Sequence, residues 1–248
     1  MAKQSGLGDN FYVGAVNLSG DVASLEKISV SRATLDVTGI DKEANERLHA
    51  IKDGGFDFTS YFNDAASQSH PTLSALPTTD VICSYFRGTT LGNQAASCVA
   101  KQINYDGNRA DTGEFTFKTS VQGNGFGLEW GRMLTAGVRT DTAATNGASI
   151  DTAASASFGA QAYLHVFSIA GTSVTCTIQD SADDVSFANI SPSMAFAAVL
   201  GGASGTERIA VVNTTTIRRY IRVITAGTFS SAVFACMIVK NAEAGVVF

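Results

Sequence analysis

Phe56, Phe58 and Phe62 fall on even positions, with Asp57, Thr59 and Tyr61 between them. That period-two alternation marks a strand with one face against a core. Residues 114–121 repeat it, with Phe115, Phe117 and Val121 facing in and Glu114, Thr116 and Lys118 facing out. Val174, Cys176 and Ile178 alternate in the same way with Thr175, Thr177 and Gln179. Further strands are expected at 81–86, 98–105, 209–212, 217–224 and 233–239. The last of these is apolar at odd and even positions alike, as in a strand covered on both faces. Turns are expected at Leu91-Gly92-Asn93 and Asp106-Gly107-Asn108.

Only one stretch reads as a helix. Over 41–52, Ala44, Leu48 and Ile51 recur at steps of four and three. Asp41 is a suitable N-cap, Glu43 places negative charge near the positive end of the dipole, and Asp53-Gly54-Gly55 stops the run. A further helical turn is expected to begin at Pro71, carrying Leu73 and Leu76. The pattern therefore predicts a mainly β protein with one short helix.

Composition changes near residue 135. The stretch 135–160 has almost no large apolar side chain before Ile150. It reads as a linker over 136–148, dividing a first domain at 1–135 from a second at 149–248. A long ordered loop is the alternative. Short strands and regularly spaced turns in the second part suggest a β-sandwich, immunoglobulin-like or jelly-roll-like.

Charge sharpens the division. Residues 1–135 hold 11 basic and 15 acidic side chains; residues 136–248 hold 6 and 7. The net charge of −5 argues against a general nucleic-acid binder, which needs a basic face. Charged residues make up only 16% of the chain, well below the usual quarter or so, so part of the surface is expected to be covered by partners. No run approaches the ~20 apolar residues of a membrane helix, and no membrane insertion is expected. The opening residues lack the apolar run of a signal peptide.

Chemistry-bearing motifs are sparse. The cysteines, Cys83, Cys98, Cys176 and Cys236, have no CxxC spacing; most sit in apolar strand-like runs, and they read as buried free thiols of a chain made in a reducing cytoplasm. Gly123, Gly125 and Gly127 superficially resemble a nucleotide loop but lack the strand–loop–helix setting, so a bend in a strand is the better account. Asp180, Asp183 and Asp184 read as an acidic turn rather than a calcium loop. Asp141, Asp151 and His165 form no recognisable triad. No enzymatic activity, cofactor or metal is expected. The one basic cluster is Arg218, Arg219 and Arg222, in which Arg218, Tyr220 and Arg222 share a strand face. It suits a phosphate, carboxylate or glycan, or else strand pairing and edge protection.

The stretches MAKQSGLGDNFYVGAVNLSGDVASLEKIS, LDVTGIDKEANERLHAIKDGGFDFTSYFN and FRGTTLGNQAASCVAKQINYD resemble major tail proteins of siphovirus-type phages infecting actinobacteria. The resemblance lies mainly in 1–135. The second part, with IQDSADDVSFANI and RRYIRVIT, looks like the β-sandwich extensions of phage virion proteins. The family implies a tail-tube-type β-sandwich or barrel domain followed by a second β-sandwich. It implies hexameric rings stacked into a tube, with DNA passing through the lumen without specific binding. Tape-measure, tail-terminator and baseplate proteins are the implied partners, and the virion is the implied location. On this reading Asp41, Glu46, Arg47, Phe56 and Phe58 contact neighbouring subunits. The arm at 1–20 and the end at 241–248 make contacts between rings. The alternative is a decoration or adhesion protein whose second domain binds glycans.

Overall fold

A computed structural model describes residues 5–243. In chain order its strands are β1 (Asn10–Val13), β2 (Val16–Asn17), β3 (Val22–Asp36), β4 (Arg47–Tyr61), β5 (Val81–Phe86), β6 (Gln94–Gln102), β7 (Asp106–Arg109) and β8 (Phe115–Gly123). They continue as β9 (Glu129–Met133), β10 (Arg139–Asp141), β11 (Ile150–Asp151), β12 (Ala160–Ser181), β13 (Ala188–Asn189), β14 (Val199–Leu200), β15 (Gly205–Val211) and β16 (Tyr220–Lys240). The only helix among the described residues is α1 (Ser69–Leu73). The protein is thus mainly β with one short helix, and its strand pairings are antiparallel.

The chain forms two units, each built from separate stretches of sequence, and the stretch 136–148 lies inside one of them. The first contains residues 5–20, 82–97 and 130–243; the second contains 21–81 and 98–129. The expected division at 136–148 is therefore corrected. The stretch read as a linker is stitched into the first unit by backbone hydrogen bonds. Arg139–Asp141 pair with Ala232–Phe234, and the Gly147 N–H donates to the Val223 carbonyl at 3.0 Å. Small side chains mark a flat strip lying on β16, not a free spacer.

In the first unit the strand order is β13-β12-β16-β9-β6-β5-β1-β2. Its spine is β12 against β16, 22 and 21 residues long, paired from Ala160↔Lys240 to Ser181↔Tyr220. The expected pieces at 217–224 and 233–239 are the two ends of this one strand, β16. Register shifts interrupt the ladder between Ala170 and Gly171 and again between Gly171 and Ser173. An extra residue reverses which face each later side chain takes. Ile221, Val223 and Phe229 enter the core from odd positions, whereas Ala232, Phe234, Cys236 and Ile238 enter from even ones. Ser230, unmatched in the ladder between Phe229 and Ser231, supplies the change of parity. Ala235 and Met237 are buried too, so this end of β16 is covered on both faces as its composition predicts.

Residues 10–18 are not a free arm. β1 pairs with β5, and Phe11, Tyr12, Val13 and Leu18 are buried. The expected ring contacts at 1–4 and 244–248 lie outside the described residues.

The second unit is built on the β3–β4 hairpin, 15 residues in each strand. The expected helix at 41–52 is absent. Its second half is the start of β4, with Leu48 opposite Leu35 and Arg47 opposite Asp36. A helix face needs apolar neighbours to bury it, and none are in reach. Long-range pairing with the β-branched run of β3 overrides the local periodicity. The real helix, α1, lies at the second expected site; the Asp21 carboxylate accepts the Ser69 N–H at 2.8 Å and the Asn63 amide at 2.9 Å.

Past Gly54, β4 gains a second neighbour, pairing with β8 from Gly55↔Gln122 to Tyr61↔Thr116. β7 also pairs with β8, so the expected turn at 106–108 is strand. Gly55 belongs to this ladder and does not stop a helix. A Cβ there would lie 2.0 Å from the Val121 carbonyl oxygen, so the backbones meet this closely only at glycine.

A buried polar chain crosses the first unit's interior. The His165 Nδ1 sits 2.6 Å from the Gly14 carbonyl, so Nδ1 carries the proton. Nε2 then accepts from the Ser84 hydroxyl at 2.7 Å, and Ser84 lies 2.6 Å from the Ser97 hydroxyl. Burial lowers the pKa of His165 from 6.5 to about 4, partly opposed by the Gly14 hydrogen bond. The folded state therefore holds this histidine neutral where the unfolded chain would protonate it. Its contribution is fully present above pH 6.5 and is lost as pH falls toward 4. The expected loss is about 3 kcal/mol across that window. Urea unfolding at pH 7 and pH 4 measures it. His165→Gln should be weaker at pH 7 but should lose less than the native protein on acidification; an unchanged pH dependence refutes the assignment.

Candidate functional site

The largest unpaired feature of the second unit is the outer half of the β3–β4 hairpin. At the root Phe56 and Phe58 are buried, each 1% exposed, on one face of β4. Beyond Gly54 the burial stops and residues 47–53 are largely exposed. Both faces of a two-stranded ribbon then meet water. Val30, Leu35, Val37, Leu48 and Ile51 are exposed along it, Ile51 at 82%, and Ile40 stands fully exposed at the tip. A two-stranded ribbon is marginal in water by itself, and its outer edges offer unpaired backbone groups. The tip is tied locally. The Thr38 hydroxyl and N–H donate to Asp36 at 2.6 and 3.0 Å, which lowers the pKa of that carboxyl. The Glu46 N–H donates to Thr38 Oγ1 at 2.8 Å, and Lys42 pairs with Glu46 at 3.5 Å.

Among the residues expected to contact neighbours, Asp41, Glu46 and Arg47 lie on this exposed arm. Phe56 and Phe58 do not. Their alternation is that of core residues, and burial in their own unit removes them as candidates.

The basic cluster is committed within the chain. Arg218 Nε donates to Asp180 Oδ1 at 2.7 Å, its backbone N–H to Oδ2 at 2.8 Å, and Nη2 to the Asp180 carbonyl at 2.7 Å. Arg222 donates twice to Gln179 Oε1, at 3.0 and 2.7 Å, and lies 4.0 Å from the Phe187 ring centre. Arg219, on the other face, holds Asp151 through two bonds of 2.7 and 2.6 Å and lies over the Tyr220 ring. That pairing, with a bond from the Ala153 N–H, holds the exposed Asp151 carboxyl down at about 2. These residues pin neighbouring segments together; they form no open ligand site.

The remaining candidates resolve similarly. Asp183 caps its own turn, accepting from the Val185 and Ser186 N–H groups, and Asp184 accepts from Ser149. Asp141, Asp151 and His165 have separate partners: Arg139, Arg219 and the Ser84–Gly14 pair. Gly125 sits at φ +82 in a bend after β8, not at a helix. Among the described residues no group of three or more His, Cys, Asp or Glu is placed to hold a metal. No described helix is long and apolar enough to cross a membrane. The four cysteines are buried, and burial pushes the Cys98 and Cys176 thiols up to about 12.

A second surface feature has no counterpart among the expected sites. In the first unit a cavity of about 210 Å³ is lined by Gln94, Trp130, Gly131, Arg132, Thr152, Ile238 and Lys240. The local signal was Trp130 and Arg132 two apart on a short strand. Lys240 is distant in sequence and arrives only through pairing.

Comparison with known proteins is sparse. No family model matches the chain, and no curated protein is significantly similar to it. Solved structures are similar to it only at low level. The tail of an empty GTA particle, refined with C6 symmetry, has TM-score 0.39 and 14% identity, covering 51% of this chain and 97% of that one. The Dit protein of phage SPP1, a hub of the adsorption apparatus, has TM-score 0.32 and 11% identity, covering 94% and 99%. The baseplate of phage p2 in its activated conformation with Sr has TM-score 0.35 and 8% identity, covering 94% and 98%. Likeness this weak assigns no function.

Proposed function

We propose that the chain is a structural subunit of a phage tail that assembles with copies of itself, as rings stacked into a tube. The observation that supports this is the β3–β4 arm. It carries six exposed large apolar side chains on a ribbon with unpaired outer edges. Such a ribbon gains stability by lying on another subunit, which buries the apolar groups and completes the backbone pairing. A second copy is the fitting occupant, because the arm carries both signs of charge, Arg32, Lys42, Arg47 and Lys52 against Asp36, Asp41, Glu43, Glu46 and Asp53. A contact between unlike surfaces propagates into rings or filaments. The resemblance of residues 1–135 to major tail proteins supplies the biological setting: a virion component, a lumen for DNA, and tape-measure, terminator and baseplate partners.

Sedimentation velocity and negative-stain microscopy test the reading. The concentrated protein should form rings or tubes. Leu48→Asp with Ile51→Asp should leave the thermal midpoint nearly unchanged, since both side chains are exposed, yet reduce assembly at least tenfold. A protein that stays monomeric at high concentration, or a double variant that assembles normally, defeats the proposal.

A further inference from the structure

We infer that the cavity beside Trp130 is a binding site for one acidic sugar unit of a surface glycan. This is independent of whether the chain builds a tube. It also differs from a glycan site in the second half of the chain, since Trp130 and Gln94 lie outside that half.

The site is built by strand register. Arg132 lies opposite Ile238 in the β9–β16 ladder, so the two share a face. Two residues further along each antiparallel strand come Trp130 and Lys240, on that same face. Gln94 reaches the cavity from β6, next to β9 in the sheet, and Thr152 reaches it from just beyond β11. Ile238 is buried and floors the cavity. The core face of β16 thus ends at a shallow cavity with an indole and two cations at its rim.

Trp130, Lys240 and Arg132 retain unused capacity. Trp130 is 44% exposed, and the edge-to-face contact with Tyr85, centroids 6.3 Å apart, orients its ring. Lys240 Nζ donates to Thr152 Oγ1 at 2.5 Å and to the Ala154 carbonyl, leaving one of three hydrogens. Arg132 donates one bond, to the Gly92 carbonyl at 3.1 Å, leaving four of five. Neither cation forms a salt bridge among the described residues. The nearby carboxylate, Asp151, is held by two bonds from Arg219. Burial lowers the pKa of Lys240; Asp151 opposes that and Arg132 adds to it. An incoming anion would relieve the repulsion between the two cations.

The ligand class follows. An exposed indole is a stacking platform for a ring with an apolar face. Gln94 supplies hydrogen bonds to hydroxyls, and Arg132 and Lys240 supply charge-assisted bonds to a carboxylate or phosphate. The Thr152 hydroxyl donates to the Arg219 carbonyl at 2.6 Å and accepts from Lys240, so it holds that ammonium in place. The volume falls below the ~300 Å³ of drug-sized sites and suits a single ring. A net charge of −5 disfavours a nucleic-acid polymer.

Trp130 is the only tryptophan, so intrinsic fluorescence of the full chain reads this site directly. Titration with glucuronate and with glucose 6-phosphate should give saturable changes with Kd in the millimolar range expected of so small a ligand. Glucose should bind at least tenfold more weakly. Arg132→Gln and Lys240→Met should each weaken the acidic sugars about tenfold while keeping the emission maximum of the folded protein. No response to either acidic sugar overturns the proposal. So does an equal response to inorganic phosphate or to adenosine monophosphate, which would mean an anion or nucleotide site. A change that follows protein concentration without added sugar also overturns it, because a second copy would then be the occupant.

Discussion

Asp141→Ala is expected to cost about 3–5 kcal/mol, a large share of the stability of an ordinary domain. Arg139 and Asp141 are two apart on β10 and therefore share a face. Their side chains form a two-bond pair, Nε to Oδ1 and Nη2 to Oδ2, both 2.7 Å, and the Thr225 hydroxyl donates to Oδ2 at 2.6 Å. Asp141 is 5% exposed, and the Arg139 guanidinium lies against the Phe234 ring. Removing the carboxylate leaves a mostly buried cation without its counter-charge, which costs far more than the pair contributes net. Urea unfolding measures the loss. The double variant Arg139→Met/Asp141→Leu should recover much of it, because an apolar pair avoids the desolvation of both ions. A cost below about 1 kcal/mol for Asp141→Ala would mean that 136–148 is the loose connector its composition suggests.

Gly171→Ala is expected to cost at least about 3 kcal/mol. Gly171 adopts φ +140 at the irregular step of the β12–β16 ladder. A Cβ would lie 2.4 Å from Phe229 Cα and 2.7 Å from the Thr228 carbonyl, both backbone atoms that cannot swing aside. Gly202 is the control. It has φ +76 but nothing within 4 Å of a Cβ, so Gly202→Ala should show only the conformational cost, about 1 kcal/mol. Thermal and urea midpoints of the two variants separate strain from collision. Equal losses would show that the bulge does not need glycine for space. A large gap would show that the parity change in β16 is anchored there, since the bulge reverses the inward face for Ala232, Phe234, Cys236 and Ile238.

The chain's own pattern identified parts of seven of the sixteen described strands, β4, β5, β6, β8, β12, β15 and β16. Alternation at Phe56 and Phe58, Val174 to Ile178, and the doubly apolar end of β16 follows from how a pleated strand meets a core. That pattern is local and survives in one sequence. It also excluded helical architectures and found no spacing for nucleophilic, metal or nucleotide chemistry. Alternation does not distinguish a side chain buried by its own unit from one covered by a neighbour, so Phe56 and Phe58 read equally as core and as contact.

Tertiary structure decided the rest, because each correction depends on a partner far away in the chain. The periodicity of 41–52 specifies a helix until β3 supplies a strand opposite it. The small residues of 136–148 look like a connector until β16 supplies hydrogen bonds. Residues 5–20 and 82–97 join residues 130–243 because β1 pairs with β5 and His165 reaches Gly14, 151 positions away. The arginine cluster looks open until Asp180, Gln179 and Asp151 are brought to it. Trp130 and Lys240 share a cavity only because antiparallel register places 130 opposite 240. Composition and period thus determined which segments could be strands. Long-range pairing determined which strands met, and with that which side chains were spent on the fold and which remained free for partners.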